Sequence, residues 1–216
     1  MRMYQLLVLL FGIVISFLPV PLNADPGKTL PPPTFDIPFD DIDPVIAQAE
    51  LNGRIAAFLN RLQNHWGASP ESLRRKVTGE IERDERETLV VAKDFADHGV
   101  LEGYDFREGS LIAGQYLVLQ RPVNGLNEFI DYYRALKTSL TEHYGQPRED
   151  LIVWSNDLYQ PLPDYWGVAV QLGHLRYAAS WTTSDGLVTV ELTGNHHSRL
   201  TIDYRSSASL EPSRNT

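Results

Sequence analysis

The sequence predicts an α+β fold, an antiparallel β-sheet covered on one face by one amphipathic helix and preceded by an N-terminal helical hairpin. Two patterns support this prediction. In 126–144, apolar residues recur every three or four positions, which gives a helix one apolar face. In 175–204, apolar and polar residues alternate in three short runs, which is typical of strands with one buried face.

The helix 126–144 has clear boundaries. Asn124 precedes it as a capping residue, and Gly145 followed by Pro147 ends it. Its apolar face consists of Leu126, Phe129, Ile130, Tyr133, Leu136, Leu140 and Tyr144. A helix with such a face needs an apolar surface to bury it, and the predicted sheet is the natural partner.

The last three strands have a predicted register. A five-residue loop at 194–198 and a shorter loop at 183–186 bring apolar residues opposite one another. The resulting pairs are Leu192 with Leu200, Val190 with Ile202, Val188 with Tyr204, Trp181 with Val188, and Tyr177 with Leu192. A shift of one residue would destroy this matching, so the sequence predicts an antiparallel meander.

Earlier strands are predicted at 103–106 and 111–120, and another at 150–154 follows the helix. The predicted organisation of the chain is a signal peptide 1–24, a Pro-rich linker 25–43, a helical hairpin 44–98, an α+β core domain 99–206 and a disordered tail 207–216.

The hairpin 44–98 follows from two helix-start signals. Asp43 with Pro44 opens the first helix, and Ser69 with Pro70 opens the second. Helical spacing of apolar residues continues toward Phe95, although Asp84 interrupts it. This hairpin is a candidate surface for oligomerisation.

The N-terminus predicts export. Arg2 precedes an apolar run at 6–18, and Ala24 provides a small residue for cleavage. The protein is therefore expected in the periplasm or secreted, with no membrane span after cleavage, and the alternative is a signal anchor in the inner membrane. The chain contains no cysteine, which excludes disulfides, thiolate metal sites and a lipid-modified cysteine.

Charge and motifs argue against several functions. The net charge of −9 disfavours nucleic-acid binding. The sequence has no linear motif of hydrolases, nucleotide-binding loops or zinc proteases, and no cofactor or metal site is predicted. The acidic residues of the linker lack the spacing of a calcium loop, so a solvated linker is the interpretation.

Two groups of residues are candidate sites. One is the polar face of the C-terminal sheet, which is predicted to carry His174, Arg176, Glu191, Asp203 and Arg205. It is either a peptide or anion contact, a general acid–base pair, or an ordinary solvated face with paired charges. The other is a proline-bearing loop with Tyr159, Tyr165 and Trp166, which is either a contact for protein or carbohydrate or a cover over the core.

Four blocks resemble a family of exported bacterial proteins of unknown function. They are LNEFIDYYRALKTSLTEHYGQP, DLIVWSNDLY, YWGVAVQLGHLRYAASW and VTVELTGNHHSRLTIDYRSS. The shared pattern is a helix ending in Y-G-x-P, then a Trp-containing strand and an antiparallel meander, and the resemblance covers 99–206. It implies a fold and an exported location, and it transfers no catalytic residues.

The function expected from the sequence is a non-enzymatic binding or envelope-associated module. Its partner would be an envelope protein, a peptide or a small ligand. The alternatives are a small periplasmic hydrolase that uses His174 with an acidic partner, and a structural assembly subunit.

Overall fold

The computed structural model describes residues 44–95, 98–119 and 127–210 of the chain. The N-terminal half contains α1 (Pro44–Gln63), α2 (Pro70–Arg74), β1 (Glu80–Asp84), β2 (Thr88–Phe95), β3 (His98–Arg107) and β4 (Ser110–Leu119). The C-terminal half contains α3 (Glu128–Tyr144), β5 (Glu149–Trp154), a 3-10 turn (Pro163–Tyr165), α4 (Trp166–Gln171), β6 (Leu175–Thr182), β7 (Gly186–Gly194), β8 (Ser198–Ser206) and α5 (Ser207–Leu210).

The eight strands form one antiparallel sheet in the order β1-β2-β3-β4-β8-β7-β6-β5. Each half contributes a four-strand meander, and the last strands of the two meanders, β4 and β8, pair with each other. Because the first strand of each meander lies farthest from this junction, β1 and β5 are the two edges of the sheet. The antiparallel sheet and the α+β class are confirmed.

The register predicted for the last three strands, β6, β7 and β8, is confirmed. Leu192 lies opposite Leu200, and Val188 lies opposite both Tyr204 on one side and Trp181 on the other. The side chains of these residues are buried on one side of the sheet, here called the inner face. The opposite side is called the outer face.

Helix α3 covers the inner face, as predicted. Its buried residues are Phe129, Ile130, Tyr132, Tyr133, Leu136 and Leu140. Tyr133 packs on Tyr177 of β6, with 5.3 Å between the ring centroids. The indole Nε1 of Trp181 donates a hydrogen bond of 3.1 Å to the carbonyl of Gly145, where the helix ends.

A second helix covers the same face, so the prediction of one covering helix is wrong. Phe58 of α1 packs between Tyr104 of β3 and Tyr116 of β4, at centroid distances of 5.7 and 5.5 Å. Helix α1 lies very close to β4 at Gly114. A Cβ at that position would lie 2.6 Å from Cδ2 of Leu62, so glycine permits the approach.

The predicted helical hairpin 44–98 is only half correct. The first helix is present, whereas the second ends at Arg74 and is followed by strands β1 and β2. Thr88, Val90 and Val91 are β-branched and suit a strand, and β2 hydrogen-bonds with both β1 and β3. Hydrogen bonding to the neighbouring strands β1 and β3 overrides the local helical spacing.

The sheet therefore extends beyond the predicted core domain 99–206 to include β1 and β2. The predicted disordered tail 207–216 begins with the short helix α5. The predicted signal peptide 1–24 and linker 25–43 lie outside the described residues.

Candidate functional site

The outer face of the C-terminal sheet carries the predicted polar residues Arg176, Glu191, Asp203 and Arg205, because they alternate with the buried ones. Nε of Arg176 lies 2.5 Å from Oε1 of Glu191, which joins β6 to β7. About half of the Arg176 side chain is exposed, so this pair contributes at most about 1 kcal/mol to stability.

Asp203 lies deeper in the middle of the outer face. Its Oδ1 accepts a hydrogen bond of 2.9 Å from Nε2 of Gln115 on β4. Burial raises the pKa of Asp203, although Gln115 and Arg205 oppose the shift. The pKa of Asp105 on β3 is also raised, by burial and then by the charge of Asp203. The centre of the outer face therefore holds two carboxyl groups that disfavour ionisation.

His174 does not join this group by any hydrogen bond among the described residues. Its ring packs against Tyr159, with 6.0 Å between centroids, and its buried Nδ1 has no hydrogen-bond partner in the part of the chain that the structure describes. Glu191 is paired with Arg176, and Asp203 is bonded to Gln115. Among the described residues, His174 is thus not hydrogen-bonded to either acid for proton transfer.

The predicted aromatic loop is partly folded onto the core. Trp166 packs against Trp154 at a centroid distance of 5.8 Å, and its Nε1 donates a hydrogen bond of 3.2 Å to the carbonyl of Gln160. Tyr159 and Trp166 both pack on the core cluster. Tyr165, in contrast, is 54% exposed and projects from the surface. Only this one of the three predicted aromatic residues is available to a partner.

The loop is fixed in place by side-chain hydrogen bonds. The Nδ2 of Asn127 donates to the carbonyl of Pro163 at 2.9 Å, and its Oδ1 accepts from the backbone N–H of Gly167 at 2.8 Å. The hydroxyl of Ser155 donates to the carbonyl of Gly173 at 2.8 Å. A loop held at these points loses little conformational entropy when it binds a partner.

Exposed apolar residues concentrate beside this loop. Nine large hydrophobic residues are exposed in the described parts of the chain, and seven of them lie between positions 151 and 172. These seven are Leu151, Ile152, Val153, Leu158, Leu162, Tyr165 and Leu172. Single exposed apolar residues are common, but seven in one stretch of the chain make that stretch a candidate interaction surface. We call these seven residues the apolar segment.

Of this surface, the sequence predicted only Tyr165 as a candidate contact. The residues of β5 were predicted as a strand, but an apolar run in a strand usually indicates burial on both faces. The exposure of Ile152, at 59%, follows from the position of β5 at the edge of the sheet. No local pattern identifies that position.

A groove of about 300 Å³ lies on the outer face next to β5. The small residues Ala178 and Ser180 line it together with Leu151 and the side chains of Arg148 and Arg176. Its size is at the lower limit for small-ligand sites. It suits a single side chain of a partner better than a cofactor.

No group of three or more His, Asp or Glu residues in the described ranges is placed to hold a metal ion. Among the helices that the structure describes, none is long and apolar enough to cross a membrane.

The fold and this surface define the class of protein: an α+β protein with an eight-stranded antiparallel sheet and an exposed apolar segment at one edge. Comparisons with protein-family models, with curated proteins and with solved structures find no match for this chain.

Proposed function

We propose that this protein is a non-enzymatic binding module that contacts another protein through the apolar segment. The observation that carries the proposal is the position of seven of the nine exposed large hydrophobic residues between Leu151 and Leu172. An apolar surface of this kind loses contact with water when a partner covers it, which favours association.

The geometry of the loop supports this role. Leu162 and Tyr165, which are 46% and 54% exposed, flank Pro163, whose carbonyl is held by Asn127. The apolar side chains therefore project from a backbone that is held in place by hydrogen bonds. Aromatic residues fixed in this way are frequent anchors of protein interfaces.

The polar outer face has a lesser part in this proposal. Arg148 and Arg176 stand beside the groove next to Leu151, and they give the border of the apolar segment a polar character. An apolar centre with a charged rim is the usual composition of a binding surface. The exported location belongs to the same proposal, since it follows from residues 1–24 of the sequence.

Site-specific photo-crosslinking tests the proposal. A photoreactive amino acid at Tyr165, introduced in cells that produce the protein naturally, is expected to form a discrete adduct with another protein. The same amino acid at Ile81, which is 48% exposed on the opposite edge strand, is the matched control and is expected to form none.

A second variant identifies the surface that is responsible. Leu162→Asp places a charge on the exposed loop, and we expect it to remove the Tyr165 adduct while stability changes by no more than about 0.5 kcal/mol. Equal labelling at Tyr165 and Ile81, or an adduct that survives Leu162→Asp, contradicts the proposal.

A further inference from the structure

The two edges of the sheet differ in their protection against pairing. Strand β1 carries four charged residues in five positions, and its register is broken between Ile81 and Arg83. Charges and bulges of this kind prevent an edge from pairing with another strand. Strand β5 has six consecutive pairs with β6 and no break in register. Its centre is apolar at three successive residues, Leu151, Ile152 and Val153.

The free edge of β5 presents regular backbone groups. The N–H of Ser155 points toward β6, since it donates a hydrogen bond of 2.8 Å to the carbonyl of His174. Backbone groups alternate in direction along an antiparallel strand. The N–H and C=O groups of Asp150, Ile152 and Trp154 therefore point away from β6, toward the open edge.

We propose that β5 pairs with β5 of a second copy of this chain, antiparallel and about a twofold axis that passes through Ile152. This goes beyond the proposed function, because it assigns the edge strand to self-association and leaves Leu162 and Tyr165 of the loop to the other protein. It also places self-association at β5 instead of at residues 44–98, where the sequence suggested it.

This register matches side chains on both faces. With Ile152 on the axis, Leu151 lies opposite the partner's Val153 on the outer face, and Asp150 lies opposite the partner's Trp154 on the inner face. Directly opposed residues share a face, so the inner faces of the two sheets become continuous. A twofold axis between two residues would place inner-face side chains of one copy opposite outer-face side chains of the other. That register is therefore excluded.

The charges of β5 also permit the pairing. Glu149 lies opposite the partner's Ser155, so no like charges are directly opposed along the strand. The same operation on β1, with the axis at Glu82, would oppose Glu82 to itself and Glu80 to the partner's Asp84. Opposed like charges destabilise strand pairing, so β5 accepts a second copy and β1 rejects one.

The helices leave room for this arrangement. Helix α3 contacts β6, β7 and β8, and Lys137 of the helix forms an ion pair with Asp150 of β5. The two α3 helices of a pair, centred over β7, would be five strand spacings apart, or about 24 Å. This exceeds the helix diameter of about 10 Å, so the helices do not collide.

Light scattering on the purified full chain tests the pairing. We expect the mass of two chains, and we expect Ile152→Glu to weaken self-association at least tenfold, because it opposes two carboxylates at the axis. Ile81→Glu is the matched control, since Ile81 is 48% exposed on the other edge, and it is expected to leave the dimer intact. Far-UV circular dichroism verifies that both variants fold.

A cysteine scan tests the register itself. The described residues contain no free cysteine and neither does the rest of the sequence, so Ile152→Cys introduces a single thiol. Diamide oxidation is expected to link two Ile152→Cys chains rapidly, since this residue meets its own counterpart. Asp150→Cys is expected to react at least tenfold more slowly, because its counterpart lies on the other side of the axis.

A monomer at all concentrations, or equal oxidation of the two cysteine variants, overturns the inference. These results are independent of the photo-crosslinking at Tyr165, which reports on another protein. A monomeric chain with a Tyr165 adduct contradicts the dimer and supports the binding module. A dimer without an adduct supports the dimer and contradicts the binding module.

Discussion

The two halves of the molecule share one plan, a helix followed by four antiparallel strands, but their helices are held to the sheet by different chemistry. In the N-terminal half, Glu102 of β3 is 3% exposed beneath α1. Its carboxylate accepts hydrogen bonds of 2.7 Å each from Arg61, Lys93 and Tyr104. Two cations thus neutralise one buried acid.

In the C-terminal half, the corresponding contact is aromatic. Tyr133 of α3 packs on Tyr177, and burial raises the pKa of the Tyr133 hydroxyl, for which residues 44–95, 98–119 and 127–210 provide no hydrogen-bond partner. The ion pair that joins α3 to the sheet, Lys137 with Asp150 at 2.8 Å, lies at the rim, and its side chains are 30% and 44% exposed. The charges that join helix to sheet are therefore buried in the N-terminal half and partly solvated in the C-terminal half.

This difference has consequences for stability. A buried ion pair is not strongly stabilising by itself, but removal of one partner leaves an uncompensated charge in a poorly solvated site. The loss of an aromatic or aliphatic contact, in contrast, lowers the unfolding free energy in proportion to the apolar area that is no longer buried. The N-terminal half should thus be the more sensitive to the loss of a single charge.

The largest expected effect is at Glu102. Glu102→Ala leaves Arg61 and Lys93 without a counter-charge and removes the acceptor of the Tyr104 hydroxyl, so we expect a loss of about 3 kcal/mol of unfolding free energy. Urea denaturation measures it. Glu102→Gln keeps an acceptor and should lose less. If Glu102→Ala lowers the unfolding free energy by less than about 1 kcal/mol, the two halves are equally sensitive to the loss of a charge.

A medium effect is expected at the two close approaches of helix to strand. A Cβ at Gly194 would lie 1.9 Å from the carbonyl oxygen of Val170 in α4, whereas a Cβ at Gly114 meets the side chain of Leu62. Overpacking costs about 1–3 kcal/mol, and backbone yields less readily than a side chain. We expect Gly194→Ala to be the more destabilising in urea denaturation, and the reverse order would show that α1 is the more rigidly held helix.

The smallest effect is expected at Lys137. Lys137→Ala breaks a solvated pair with Asp150, so the unfolding free energy should fall by no more than about 1 kcal/mol. The loss should shrink further in high salt, because salt screens exposed charges. Thermal melting at two salt concentrations measures it, and a salt-independent loss as large as that of Glu102→Ala would remove the contrast between the halves.

Much of the C-terminal half could be predicted from the sequence. The helix α3 and the pairs Leu192 with Leu200 and Trp181 with Val188 follow from local periodicity, because each apolar side chain has only one buried face to occupy. Strands β1 and β2 were mistaken for a helix, since Val77, Ile81 and Val91 fit helical spacing as well. The pairing of β2 with both β1 and β3 decides for strands.

The candidate site was predictable only in part. Tyr165 was recognised as a loop aromatic, and its exposure agrees with that interpretation. The predicted grouping of His174 with Glu191 and Asp203 assumed that a shared strand face brings side chains into contact. The structure gives those two acids the partners Arg176 and Gln115, because neighbouring strands supply closer donors.

The sequence by itself determined the helix α3, the strands of the C-terminal meander and their register, since these depend on the periodicity of neighbouring residues. The tertiary structure alone decided that β4 joins β8, because that pairing links residues about 90 positions apart, as Gln115 and Asp203 illustrate. This junction places β5 at an edge of the sheet, where Ile152 is exposed. The proposed contacts thus depend on a pairing that no local pattern encodes.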